Sequence, residues 1–134
     1  MSGEKNLQTL LKTMKPILND SEFVFCSIKT SELKSLNVEP ICIFREQEGI
    51  TLILTRENAE KNHLHYSFMS RMITLTVHSS LEAVGFLAII LNKLAENGIS
   101  VNTISAYYHD HLFVPTDKAD HAMKVLQNLT QEKQ

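Results

Sequence analysis

Residues Ile73 to Ser105 read ITLTVHSSLEAVGFLAIILNKLAENGISVNTIS, a stretch whose hydrophobic period changes from two to 3.6 and back. From Arg71 to His78, Ile73, Leu75 and Val77 alternate with Met72, Thr74 and Thr76, and the β-branched content favours a strand with one apolar face. Ser79 then offers a hydroxyl to the first amides of a helix, and Glu82 has the capping-box spacing, so a helix is expected from about Leu81. Val84, Leu87, Ala88, Leu91, Leu94 and Ala95 recur at helical spacing as its core stripe, with Asn92, Lys93, Glu96 and Asn97 opposite. Gly98 suits a C-terminal cap.

Beyond the cap, Ile99–Tyr108 and Leu112–Pro115 read as two strands joined by a turn at His109 and Asp110. Thr116 and Asp117 are the next N-cap, and Ala119, Ala122, Met123, Leu126 and Leu129 mark a final helix before a polar, fraying TQEKQ end. The first half echoes this plan. ICIF (Ile41–Phe44) matches ISAY (Ile104–Tyr107), and LILTRENAE (Leu52–Glu60) matches FVPTDKADH (Phe113–His121), with Thr55 and Thr116 in the same place. The displacement is 63 residues before the turn and 61 after it, which assigns the first hairpin the longer turn, REQEG. Strand, turn, strand, Thr and helix recurring in order indicate an internal duplication. The copies are imperfect: after a strand at Glu22–Ile28, only the short SELKSL stands where the long second-half helix should be. Leu7, Leu10, Leu11, Met14 and Leu18 mark an N-terminal helix suited to that vacant place. Nothing after Leu129 supplies a last strand to the second unit, so one borrowed from the first repeat is expected.

The chain of 134 residues is 43% hydrophobic and 21% charged, the size of one average domain or two very small ones. Thirteen Lys and Arg against 15 Asp and Glu leave a net charge of -2, without the positive field that nucleic acid needs. Lys and Arg are also absent between Lys93 and Lys118, which disfavours RNA binding around Tyr107, Tyr108 and Phe113. No secretory signal opens the sequence, and the most apolar run, Ala83–Leu91, is about half of a membrane span; a cytoplasmic protein is expected. Cys26 and Cys42 lie in apolar β-rich stretches and read as free, buried thiols.

In the order strand, loop, long helix, strand, hairpin strand and helix, the second half has most of the ferredoxin-like βαββαβ plan, an α+β fold. On its residues, Ile73–Ser105 resembles the ACT domain, the small-molecule sensing module appended to amino-acid biosynthetic enzymes such as aspartate kinase. Gly85 matches the family's loop glycine, and Gly98-Ile99 its Gly-Ile pair. FREQEGITLIL, ITLTVHSSLEAVGF and YYHDHLFVP look like small stand-alone tandem-ACT proteins of unassigned function found mainly in bacteria, a resemblance running from Leu7 to Leu129. It implies two ACT-type units in tandem, a degenerate one at residues 1–70 with the N-terminal helix and a second at residues 71–134.

The resemblance further implies an amino acid held between the strand-to-helix loop and a neighbouring ACT unit. The residues concerned are His78, Ser79, Ser80, Glu82, Val84, Gly85 and Asn102, with Glu82 available to an amino group. Ala83 and Val84 stand where regulatory ACT domains often carry Asp and Pro. Physically, a helix N-terminus leaves free amides with about half a positive charge and favours a carboxylate. The same residues have a plainer reading, in which Ser79 and Glu82 only cap the helix and Gly85 only permits close packing.

No Walker loop, dinucleotide fingerprint, HExxH or nucleophile elbow is present, so neither catalysis nor a cofactor is expected. His109 and His111 can point the same way, but with only His78 as a third candidate they read as turn residues and no metal is expected. His63, His65 and His121 read as exposed positions. Phe86, Ile89 and Ile90 widen the apolar face of the long helix beyond what one sheet needs, which points to a homodimer or to cover from the first repeat. A non-catalytic, small-molecule-binding regulatory or sensor protein is the expectation; the alternative is a structural or protein-interaction module with a vestigial pocket.

Overall fold

The computed structural model describes residues 3–131, so the last three residues of the polar TQEKQ end lie outside it. The chain forms two compact units, one running from Asp20 to Ser70, the other combining the segment up to Asn19 with Arg71 onward.

In the second of these units, helix α1 (Leu7–Thr13) leads into the start of strand β1 (Pro16–Ile28), and the chain returns on the end of β4 (Ser67–Leu75). Helix α3 (Phe86–Glu96), the hairpin β5 (Asn102–Ser105) and β6 (Asp110–Pro115), and helix α4 (Ala119–Gln131) complete it. The sheet order is β1-β4-β6-β5, so Pro16–Asn19 provides the strand that the C-terminal sequence lacks. The backbone of Thr76 donates to the Lys15 carbonyl at 2.9 Å beside it. Ile73 and Leu75 are fully buried, as the alternation requires, against Leu112 and Val114 of β6. The helices close this core with Leu10, Leu11 and Met14 of α1 and its C-terminus, and with Ala122, Leu126 and Leu129 of α4. The N-terminal helix therefore does not fill a vacant place in the first repeat; it packs with the second-half helices. Burying leucines of this kind is worth about 1.5–3 kcal/mol each.

Helix α3 differs from expectation in both its start and its face. It begins at Phe86, with Gly85 at the N-cap in the left-handed conformation at φ 88°, and not at Leu81. Ser79 and Glu82 form no capping box. The backbone groups of the loop are taken elsewhere: Glu4 donates to the His78 carbonyl at 2.7 Å, and Ser80 donates to the Glu4 carbonyl at 2.8 Å. Packing against α1, α4 and the sheet selects Phe86, Ile90 and Leu94 as the buried stripe, with Leu87 and Leu91 on its flank, while Val84, which now precedes the helix, is 84% exposed. Phe86 and Ile90 are thus core residues of their own unit and offer no surface to a second copy.

In the unit from Asp20 to Ser70, the sheet order is β2 (Cys42–Arg45), β3 (Ile50–Thr55), β1 and the start of β4. Short helix α2 (Arg56–Lys61) follows β3, its first turn capped by Thr55 Oγ1, which accepts from the Asn58 amide at 3.2 Å. Val24, Cys26, Ile28, Ile50, Leu52, Leu54 and Ala59 form the core. The long helix is reduced to a 3-10 turn at Thr30–Ser35, with the Glu32 carboxylate accepting from the Lys29 amide at 2.9 Å. Cys26 is buried and Cys42 half-buried, both free thiols, and burial pushes the Cys26 thiol pKa up.

The hairpins repeat more regularly than their sequences. Cys42–Arg45 and Asn102–Ser105, and likewise Ile50–Thr55 and Asp110–Pro115, lie 60 residues apart. Each closes with the same bond, Glu46 to the Gly49 carbonyl and Ala106 to the His109 carbonyl. The first turn is not longer, and displacements of 63 and 61 residues pair side chains that lie three positions and one position out of register. The second turn accordingly lies at Ala106–His109 and not at His109 and Asp110, and β5 is shorter than Ile99–Tyr108. Thr116–Lys118 forms a 3-10 lead into α4 without a side-chain cap.

Candidate functional site

The loop from Thr76 to Val84 is held at both ends and in the middle. Thr76 is tied to Lys15 by its backbone amide and its hydroxyl, and Gly85 ends the loop by starting α3. Its centre is clamped by the strap Gly3–Glu4, whose Glu4 makes a parallel bridge to Ser79. A Cβ on Gly3 would lie 2.6 Å from the His78 carbonyl oxygen and 2.8 Å from the Ser80 nitrogen, both backbone atoms. Gly3→Ala is therefore expected to detach the strap. The two hydrogen bonds lost are worth about 1–3 kcal/mol together, so Ser80 amide exchange should accelerate by one to two orders of magnitude. Unchanged exchange at Ser80 would show that the strap does not hold the loop.

Two clefts flank the loop. One, of about 160 Å³, is lined by Gly3, His78, Ser79, Ser80, Leu81, Glu82 and Tyr107. The other, of about 140 Å³, shares Ser79, Ser80 and Leu81 and reaches Phe86 and Leu87 at the start of α3, together with Ser105 and Asp110. Gly85 has no side chain to cap α3, so the first amides of an 11-residue helix face this end of the loop without a side-chain acceptor. Asp110 is 8% exposed, accepts from Ser105 Oγ at 2.5 Å, and receives Ser79 Oγ at 3.4 Å. A buried carboxylate held by hydroxyls thus lies in the same cleft as a helix N-terminus of opposite polarity.

Of the expected residues, the structure brings His78, Ser79, Ser80 and Glu82 together around the clefts and puts Gly85 at their helical edge. Val84 is exposed, and Asn102, opposite Phe113 on β5, lines neither cleft. Ser80 Oγ accepts from the Glu82 amide at 3.1 Å, and the Glu82 carboxylate pairs loosely with Lys5 at 3.8 Å, both on the surface. The structure adds Gly3, Ser105, Tyr107 and Asp110 to the lining. For Asp110 a signal existed: it shares strand parity with the core residues Leu112 and Val114, so alternation turns it inward.

His111 lies on the other face, 2.9 Å from Thr74 Oγ1, while His109 Nδ1 donates to the Val77 carbonyl at 3.3 Å. Burial first, then the neighbouring His109, lowers the His111 pKa and favours its neutral ring. Among the described residues, no three His, Cys, Asp or Glu side chains are grouped to hold a metal, and no helix is long and apolar enough to cross a membrane.

The sequence matches the ACT domain pattern twice, over residues 2–71 and residues 68–128. The chain belongs to the ACT domain family. Its two ACT domains stand in tandem, with mixed α/β structure on antiparallel hairpins. A Vibrio cholerae protein of unknown function, a possible transport protein, is 47% identical over 95% of this chain and 98% of its own, with a TM-score of 0.83. A protein from Agrobacterium tumefaciens is similar in structure at 14% identity, covering 87% and 89% of the two chains with a TM-score of 0.72. The ligand-free regulatory subunit of aspartate kinase from Thermus thermophilus is similar at 8% identity, covering 89% and 97% with a TM-score of 0.67. These last two share the ACT fold with this chain. Comparison with curated proteins finds no match.

Proposed function

We propose that this ACT protein is a non-catalytic regulatory or sensor protein that takes up an amino acid at the loop between β4 and α3. One observation carries the reading: the uncapped N-terminus of α3 and the buried Asp110 carboxylate line the same small cleft. A zwitterion presents the complementary pair, a carboxylate for the helix amides and an ammonium for Asp110. Asp110 takes the role that the sequence reading offered to Glu82, because it is buried and Glu82 is exposed. Ser79 and Ser80 supply hydroxyls on the shared wall of the two clefts. No reaction is assigned to the site, and the regulatory role of aspartate kinase domains of this fold supports the reading by analogy.

A thermal-shift screen of the full chain against the twenty amino acids tests this. A ligand at ten times its dissociation constant adds about 1.4 kcal/mol and should raise the midpoint by roughly 4–7 °C. Asp110→Asn should abolish that shift, and Ser80→Ala should reduce it with little change in the unliganded midpoint. No shift at millimolar concentration would leave the alternative, an interaction module with a vestigial pocket. Self-association into a homodimer, expected from the apolar face of the long helix, loses Phe86 and Ile90 to the core; its candidate surface is instead Ile41, Ile43 and Phe44, which are 51%, 47% and 66% exposed around edge strand β2. Light scattering of Phe44→Glu against the unmodified chain reads it.

A further inference from the structure

We infer that the amino acid taken up here carries an aromatic side chain, which stacks on a platform of His78, Tyr107 and Tyr108. The inference rests on the amino-acid reading above and adds the chemistry of the side chain. The turn Ala106–His109 holds two adjacent tyrosines that stay 58% and 61% exposed, an unusual use of large rings on a tight hairpin. They do not splay into solvent. Tyr107 and Tyr108 pack edge to face with centroids 5.0 Å apart, and the His78 ring lies 5.1 Å from Tyr108 and 6.4 Å from Tyr107. These separations fall within the range of attractive ring pairs, so each ring holds the others before any ligand arrives.

The platform stands beside the first cleft, where Tyr107 and His78 form walls and Leu81, 67% exposed, adds an apolar contact. The second cleft shares Ser79, Ser80 and Leu81 with the first. In this arrangement the ammonium and carboxylate lie between Asp110 and the start of α3, and the side chain reaches past Ser79–Leu81, the lining common to both clefts, to the rings. Glu82 is the charged residue lining that first cleft, and Lys5 lies 3.8 Å from its carboxylate. An acidic side chain would meet Glu82 with like charge, and a small polar one would leave the rings uncovered. A planar apolar ring gains both stacking and burial.

The chain contains no tryptophan and three tyrosines, and the third, Tyr66, bonds Glu60 at 2.9 Å in the other compact unit. Tyrosine emission therefore reports chiefly on this platform. Full-length protein is titrated with L-phenylalanine, L-serine, L-aspartate and L-lysine, by emission and by calorimetry. L-Phenylalanine should bind at least about tenfold more tightly than the other three, through the apolar area that its ring covers, and should change tyrosine emission. Tyr107→Ala and Tyr108→Ala should each lose about tenfold for L-phenylalanine and less than about twofold for L-serine, whereas Tyr107→Phe keeps the ring and the affinity. If serine, aspartate or lysine binds as tightly as phenylalanine, or the alanine variants keep phenylalanine affinity, the aromatic inference is overturned and the amino-acid reading stands. If none of the four binds and no other amino acid shifts the midpoint, both are overturned.

Discussion

Replacing Phe86 with alanine is expected to destabilise the protein by about 3–5 kcal/mol, whereas Val84→Ala should stay within about 0.5 kcal/mol. Phe86 is 2% exposed and packs in the core built by α1, α3, α4 and their strands, while Val84, two positions earlier, is 84% exposed. Their order reverses what the helical spacing alone implies, because that reading started the helix at Leu81 and put Val84 on its buried stripe. Urea unfolding of the two variants decides which face is buried. A Val84 loss as large as that of Phe86 would restore the earlier helix start. Light scattering adds a second readout: a mass unchanged by Phe86→Ala fits a core residue, and a dimer dissociated by it would mark an interface residue.

Gly85→Val should cost about 1–3 kcal/mol, and the mechanism is the point at issue. A Cβ at Gly85 meets only Leu7 Cδ2, at 3.8 Å, which is ordinary contact; overpacking is therefore absent. The φ of 88° is what a side chain resists, and a β-branched one most. The two causes rank variants differently. Backbone strain makes Gly85→Asn milder than Gly85→Ala, since asparagine tolerates the left-handed region; crowding makes the larger asparagine worse. Unfolding midpoints for Ala, Asn and Val at this position settle it. Alanine retaining more stability than asparagine would overturn the strain account. Because Gly85 also sets where the helix amides begin, all three variants should weaken any ligand-induced midpoint shift.

The helix that changed its boundaries shows why part of this molecule was not legible in one dimension. Ser79 and Glu82 satisfy the local grammar of a capping box, and nearby in sequence Gly85, unfavourable inside a helix, argues against it. What prevails is the strap: Glu4 takes the His78 carbonyl and the Ser80 amide, and the chain then turns at Leu81–Glu82, where the Ala83 amide donates to the Ser80 carbonyl, before Gly85 starts the helix. The aromatic platform was hidden for the same reason. Tyr107 and Tyr108 were visible as residues, but their contact with His78 joins segments that only the sheet brings side by side. Asp110, by contrast, could have been found, because parity with Leu112 and Val114 turns it toward the core.

The sequence by itself determined the order of the helices and strands of the second half, the tandem hairpins, the buried face of β4 and most of the buried face of α4. Each of these is written in a local period, where alternation by two or by 3.6 specifies which side chains leave water together. Only the tertiary structure decided the rest. It sent α1 to the second-half helices, used Pro16–Asn19 as the strand that the C-terminal sequence lacks, began α3 at Phe86, and gathered Asp110 and Tyr107 around the loop. Those outcomes depend on which distant segment satisfies a given backbone amide or covers a given apolar face. That competition among long-range partners leaves no period in the chain.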